Sequence, residues 1–117
     1  MKASTIGRIY SMIKQFEEDN NSKTNAILFN EKSDWYRLMI SSECLDELNP
    51  FESILEVIRY IKLHDSKLIC DLDFNVTVVH SEDESIHKVR ESFDEGVRYF
   101  NKAELFYNTL TDVYVMI

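Results

Sequence analysis

Apolar residues recur along this chain with two periods, and each change of period marks a new element. Across residues 4–20, Ile6, Ile9, Tyr10, Ile13 and Phe16 repeat at helical spacing. That predicts an amphipathic helix capped by Ser4 and stopped by Asn20, Asn21 and Ser22. Gly7 either weakens its first turn or admits a close neighbour. Residues 25–30 and 35–41 are short apolar runs flanking the polar residues 31–34, the pattern of an antiparallel hairpin. In the second run Tyr36, Leu38 and Ile40 share one face, and Trp35, Arg37 and Met39 share a half-exposed one. Residues 42–48 are acidic and long enough for a helical turn. Asn49 as N-cap, Pro50 at the first helical position and Glu52 at the capping-box position then open a helix over 50–64. Its expected buried stripe is Ile54, Leu55, Ile58 and Ile61, with Lys62 and His64 at the carbonyl end.

Residues 68–80 alternate. Leu68, Cys70, Leu72, Phe74, Val76 and Val78 fall on one side, and Asp71, Asp73, Asn75 and Thr77 on the other. This predicts one long strand with a wet face, bent or bulged because of its length. Ser81 and Glu84 form a second capping box for a helix over 81–101, in which Ile86, Val89, Phe93, Val97 and Phe100 form the stripe and Gly96 a close-approach point. Residues 105–107 and 113–117 then pair as a second hairpin around the polar 108–112. The expected order is α-β-β-α-β-α-β-β. It describes one α+β domain over residues 1–117, with three helices on one face of a mainly antiparallel sheet of about five strands.

Charge changes the picture more than composition does. The chain has 13 Lys and Arg against 21 Asp and Glu, a net charge of −8 over 117 residues. Residues 41–57 hold five acids (Glu43, Asp46, Glu47, Glu52, Glu56) and no Lys or Arg. Residues 65–87 hold six (Asp65, Asp71, Asp73, Glu82, Asp83, Glu84) against Lys67 alone. Such a field draws basic partners and repels nucleic acid and anionic membrane. No apolar run approaches the ~20 residues of a membrane span, and residues 1–9 lack the pattern of a signal peptide, so a cytoplasmic location is expected. Two glycines cannot build a phosphate-binding loop, and no cofactor is expected. Cys44 and Cys70 show no metal-ligand spacing, and Cys70, inside the alternation, reads as a buried free thiol.

Candidate chemistry is sparse. His80 and His87 flank Glu82, Asp83 and Glu84, a possible set of metal ligands. The parity of His80 places it with the core-facing positions, however, and the acids suit a helix N-terminus, so no metal is expected. His64 suits the end of its helix, and no Ser or Cys nucleophile stands in a known arrangement with any histidine. Asp71 and Asp73, two apart on a strand, point the same way roughly 6.5–7 Å apart, a spacing compatible with acid–base work or magnesium. No further acid or lysine follows at nuclease-like spacing, which leaves a solvated or partner-binding face. Trp35, beside Arg37, is the aromatic expected to be partly exposed.

These readings converge on a binder, with no catalytic residues expected. The leading expectation is an inhibitor of the immunity or antitoxin kind, in which carboxylates occupy the basic groove of a nuclease-like toxin. Trp35 would be the anchor, and Glu43, Asp46, Glu47, Asp71, Asp73, Glu82, Asp83 and Glu84 the contacts. The alternatives are an acidic secretion chaperone or adaptor acting as a homodimer and, behind it, a metal-dependent hydrolase built on Asp71 and Asp73.

Overall fold

A computed structural model describes residues 1–71 and 74–117, with the side chains of 69–71 and 74 outside the description. The elements run α1 (Ala3–Asn20), β1 (Thr24–Lys32), β2 (Trp35–Ser42), α2 (Glu43–Asp46), α3 (Pro50–His64), α4 (Ser66–Asp71), β3 (Phe74–Val78), α5 (Glu84–Ser92), β4 (Val97–Leu105) and β5 (Asn108–Met116). The strands form one five-stranded sheet in the order β3-β2-β1-β5-β4. The class is α+β. The described residues hold five helices rather than three, and the sheet is mixed because β3 runs parallel to β2.

α1 buries Ile6, Ile9, Met12, Ile13 and Phe16, the helical stripe legible in the sequence. It ends where Asn21 takes a left-handed conformation, φ 45°. There the Asn21 and Ser22 N–H groups reach back to the Glu18 and Glu17 carbonyls. The helix begins at Ala3, so Ser4 lies inside the first turn and caps nothing. Gly7 has open space where a Cβ would stand, so no neighbour approaches it closely.

The first hairpin forms as expected, with Ala26 opposite Ile40 and Leu28 opposite Leu38, around a tight turn at Ser33 and Asp34. Ser33 adopts positive φ there. Asn49 caps α3 by accepting the Glu52 N–H at 2.9 Å. The buried line of α3 differs from the expected one. It consists of Ser53, Val57 and Ile61, and Ile54, Leu55 and Ile58 are only part-buried.

Two expectations fail. The long strand over 68–80 does not form: residues 66–71 are helix α4 and the strand is limited to Phe74–Val78. Ile69 breaks the alternation between Leu68 and Cys70, and the few residues left span barely one helical turn, so period two has no discriminating power there. The Asp65 carbonyl accepts the Leu68 N–H at 3.0 Å and opens the new helix. Cys70 therefore belongs to a helix and not to a strand alternation. Leu72 and Asp73 lie outside the described residues. His80, expected among the core-facing positions, stands beyond the end of β3 with an exposed side chain.

The helix over 81–101 is also replaced. α5 covers nine residues and is capped by Asp83, which accepts the Ser85 N–H at 2.9 Å. Ser81 is committed elsewhere. Phe93 is extended, Gly96 has φ 135°, and the run from Val97 enters the sheet as β4. The Val-Arg-Tyr-Phe run has the β-branched and aromatic makeup of a strand. Gly96 and Ile117 exchange two backbone hydrogen bonds, at 2.9 and 3.0 Å, which seat β4 against the end of β5. Gly96 is thus a left-handed backbone position and not a helix contact. Residues 108–112, expected as a loop, belong to β5. The turn is Phe106 and Tyr107, with φ 52° and 60°. Positive φ at both central residues is what a two-residue hairpin needs, but it is normally supplied by Asn and Gly.

Further along the same hairpin, Phe100 pairs with Val113 and Lys102 with Thr111, while Asn101 and Asp112 between them are unpaired and Asp112 has φ 48°. Tyr99 donates to Asp112 Oδ1 at 2.6 Å across this irregularity. The side chains packed towards α5 pass there from Phe100 to Ala103 and from Val113 to Leu110, so the alternation turns over in both strands.

The sheet is covered on both faces, which corrects the expectation of helices on one. Ala26, Leu28, Leu38, Ile40 and Met116 face α1, α3 and α4. Ile27, Phe29, Val113 and Val115 face Ile86 and Val89 of α5. β1 is the strand shared by the two cores, and its residues 24–29 are all buried.

Candidate protein-binding surface

The parallel pairing of β2 and β3 sorts the expected site residues to two ends of the sheet. β2 begins at Trp35 and ends at Ser42, and β3 begins opposite Tyr36 and ends opposite Ile40. α2, the start of α3 and the segment after β3 therefore meet at one end. Asp46 fastens that junction: its carboxylate accepts the Ser81 N–H at 2.9 Å and the Ser81 hydroxyl, and His80 Nε2 lies 3.8 Å away. The segment that holds Glu43, Asp46 and Glu47 is thus joined through Asp46 to the one that leads into Glu82 and Asp83, although 35 residues separate Asp46 from Ser81.

The other predicted residues do not join them. Trp35, half exposed at 50%, stands at the far end of β2, seven residue steps and so roughly 23 Å from Ser42. It cannot anchor a partner seated on α2 alone. Asp71 closes α4 three residues before Phe74, the β3 residue that pairs beside Trp35, and Asp73 lies outside the described residues. Glu84 is turned towards the second hairpin, where it accepts the Tyr107 hydroxyl at 3.0 Å.

Among the described residues, Glu43, Asp46, Glu47, Glu52, Glu56, Glu82, Asp83 and Glu84 form no ion pair with Lys or Arg; Glu82 instead meets His87 at 3.0 Å. Elsewhere Glu17, Glu31, Asp65 and Glu95 meet Lys or Arg, whereas Glu18, Asp34, Glu91, Asp94, Glu104 and Asp112, scattered along the chain, form no such pair among the described residues either. Arg8 holds Asp65 at 2.7 Å, and its hydrogen bonds keep that carboxyl below the usual aspartate range. Burial pushes Glu17 up, but the Thr24 N–H, Lys14 and Lys23 together outweigh it and leave the group lowered. Arg37 binds Glu31 and Thr77.

Ser81, Asp46 and His80 do not form an activated nucleophile. The Ser81 hydroxyl is buried and donates straight to the carboxylate, while His80 Nδ1 accepts the Glu82 N–H at 3.1 Å. This arrangement clamps a loop. Among the described residues, no group of three or more His, Cys, Asp or Glu side chains is close enough to hold a metal, and no helix is long and apolar enough to cross a membrane.

Sequence reasoning missed the apolar part of the acidic end. Phe51 is 72% exposed and Leu48 36%, and a cleft of about 150 Å³ is lined by Leu45, Leu48, Pro50, Val78 and Val79 with Asp46, Ser53 and His80, so that Phe51 adjoins it through Pro50 without lining it. No local signal pointed to Phe51: it precedes Ile54, Leu55 and Ile58 at helical spacing, and the buried line of Ser53, Val57 and Ile61 is set by the tertiary fold. At the second hairpin, Tyr107 is 95% exposed, and open clefts of about 420 and 440 Å³ flank Phe106. Compared with known proteins, the chain matches no family model, no curated protein and no solved structure.

Proposed function

We propose that this protein is a binding inhibitor of the immunity or antitoxin type, which neutralises a basic, nuclease-like protein through its acidic end. The observation that carries this reading is the meeting of Glu43, Asp46, Glu47, Glu82 and Asp83 at one end of the sheet without Lys or Arg ion pairs among the described residues. Carboxylates without a Lys or Arg partner at a common end steer a cationic partner, and the exposed ones can stand where the partner would hold phosphate. Association is then fast and salt-sensitive, and residence time is set by apolar contacts.

The test is capture of basic proteins from a native lysate at low and high salt, by the wild type and by a variant carrying Glu43→Lys, Glu47→Lys and Glu82→Lys. Asp46 and Asp83 are left intact because one clamps a loop and the other caps α5. Retention of a basic protein that high salt and the triple reversal both abolish supports the reading. An identical, salt-independent set of captured proteins from both forms removes it.

A further inference from the structure

We infer that the acidic end receives a basic amphipathic segment of its protein partner, with the partner's apolar side chains seated on Phe51 and in the cleft between Leu48, Pro50 and Val79. This rests on the partner-binding reading above and specifies the chemistry of what binds. The stripe expected to be the buried face of α3 is Ile54, Leu55, Ile58 and Ile61, of which Ile61 alone is fully buried, and Phe51 precedes the other three at the same spacing. Phe51, Ile54, Leu55 and Ile58 recur at i, i+3, i+4 and i+7, the spacing of a helix face that packs on something. The fold instead buries Ser53, Val57 and Ile61, and leaves Phe51 in solvent and the other three part-exposed.

Leu48 adds to this. It occupies the position before the N-cap, from which an apolar side chain commonly packs on the fourth helical residue. Here that residue is Ser53, and Leu48 lines the open cleft. At about 150 Å³ the cleft is of the order that takes one benzene-sized group.

Charge selects the occupant. Glu43, Glu47, Glu52 and Glu56 lie along α2 and the exposed side of α3, Glu82 and Asp83 follow His80, which lines the cleft, and Arg59 is the first cation along α3. A wholly apolar partner strips water from these carboxylates without replacing it. A purely polar cationic partner leaves Phe51 and the cleft uncovered. A segment that is basic on one side and aliphatic or aromatic on the other satisfies both, in the usual arrangement of an apolar centre within a charged rim. An anionic lipid surface is repelled by the same charges.

Two synthetic probes of equal charge separate the contributions: a Leu/Lys peptide designed as an amphipathic helix and a Ser/Lys peptide, each titrated against the full chain by fluorescence anisotropy at low salt. The Leu/Lys peptide is expected to bind at least about tenfold more tightly. Phe51→Ala and Leu48→Ser, at exposed positions, are each expected to weaken it roughly tenfold and to leave the Ser/Lys peptide unchanged. Equal affinity for the two peptides, or an effect of Phe51→Ala below about twofold, overturns the inference. The Glu43, Glu47 and Glu82 reversal tests the layer beneath. If it weakens both peptides while Phe51→Ala changes nothing, the electrostatic reading stands and this inference falls; if it changes neither, the acidic-end reading itself is lost.

Discussion

The two faces of the sheet are built on different scales. One carries α1, α3 and α4, and its core includes Ile9, Ile13, Phe16, Leu38, Ile40 and Ile61 at full burial. The other is closed by the nine residues of α5 and by the far part of the β4–β5 hairpin, with Leu105, Phe106 and Leu110 supplying cover that a longer helix would otherwise give. A thick face tolerates poor local signals because many contacts overdetermine it. A thin face depends on individual devices: the Asp83 cap, the Ser85 hydroxyl that accepts the Phe106 N–H at 2.7 Å, and the Asp46 clamp on the segment leading into α5.

Truncations in the two cores measure this contrast most directly. Phe16→Ala, at the centre of the thick face, is expected to cost ~3–5 kcal/mol. Ile86→Ala, on the thin face, is expected to cost ~2–4 kcal/mol because a nine-residue helix can settle into the space left behind. Denaturant unfolding of both variants checks the order, and a larger loss at Ile86 inverts the comparison. Asp46→Ala comes next. It strands the N–H and hydroxyl of buried Ser81, at an expected ~1–3 kcal/mol, and hydrogen exchange should accelerate over residues 79–83 before it does in α1.

Tyr107→Gly is expected to act in the opposite direction. Its φ of 60° suits glycine and its ring is almost wholly in solvent, so relief of backbone cost outweighs the lost bond to Glu84. A gain of about 1 kcal/mol should appear as a higher Tm. The smallest effect expected is that of pH. The Tyr60 hydroxyl, at 2.5 Å, and Gln15 hold Asp19 below its ordinary range, and Arg8 does the same for Asp65. Both contacts tie α1 to the chain around α3. A lowered folded-state pKa means that this stabilisation is complete above about pH 5 and drains away as pH falls below about 4. Melting followed from pH 6 to pH 3 should show a decline that Asp65→Asn reduces.

How much was legible in the sequence follows the same division. α1, the first hairpin and the Asn49 cap were readable because each carries a strong local period or a turn and cap signal within a few residues. β4 was not, because Val97 and Phe100 happen to continue the spacing of Ile86, Val89 and Phe93, and only Gly96 with its positive φ separates helix from strand. The covering of both faces did have a signal that went unused. Ala26, Ile27, Leu28 and Phe29 form an unbroken apolar run, the mark of a strand buried on both sides. For the site, the acids were visible as positions. Their convergence was not, because the contact of Asp46 with Ser81 crosses 35 residues and leaves no periodic trace. Phe51 was missed for a related reason: Phe51, Ile54, Leu55 and Ile58 carry the perfect helical spacing, yet the tertiary fold turned the neighbouring line inward.

The unpaired residues Asn101 and Asp112 also govern how the chain behaves in a crowded solution. β4 is the outermost strand on its side of the sheet, and most of its length, Val97, Arg98 and Tyr99 included, is open to water. A straight edge of that makeup is a template on which further copies can stack without limit. Because the pleat reverses halfway along, an incoming straight strand that matches the first half is out of phase with the second. The irregularity is therefore expected to oppose fibril growth at a border where the β-branched Val97 and the aromatic Tyr99 face solvent together.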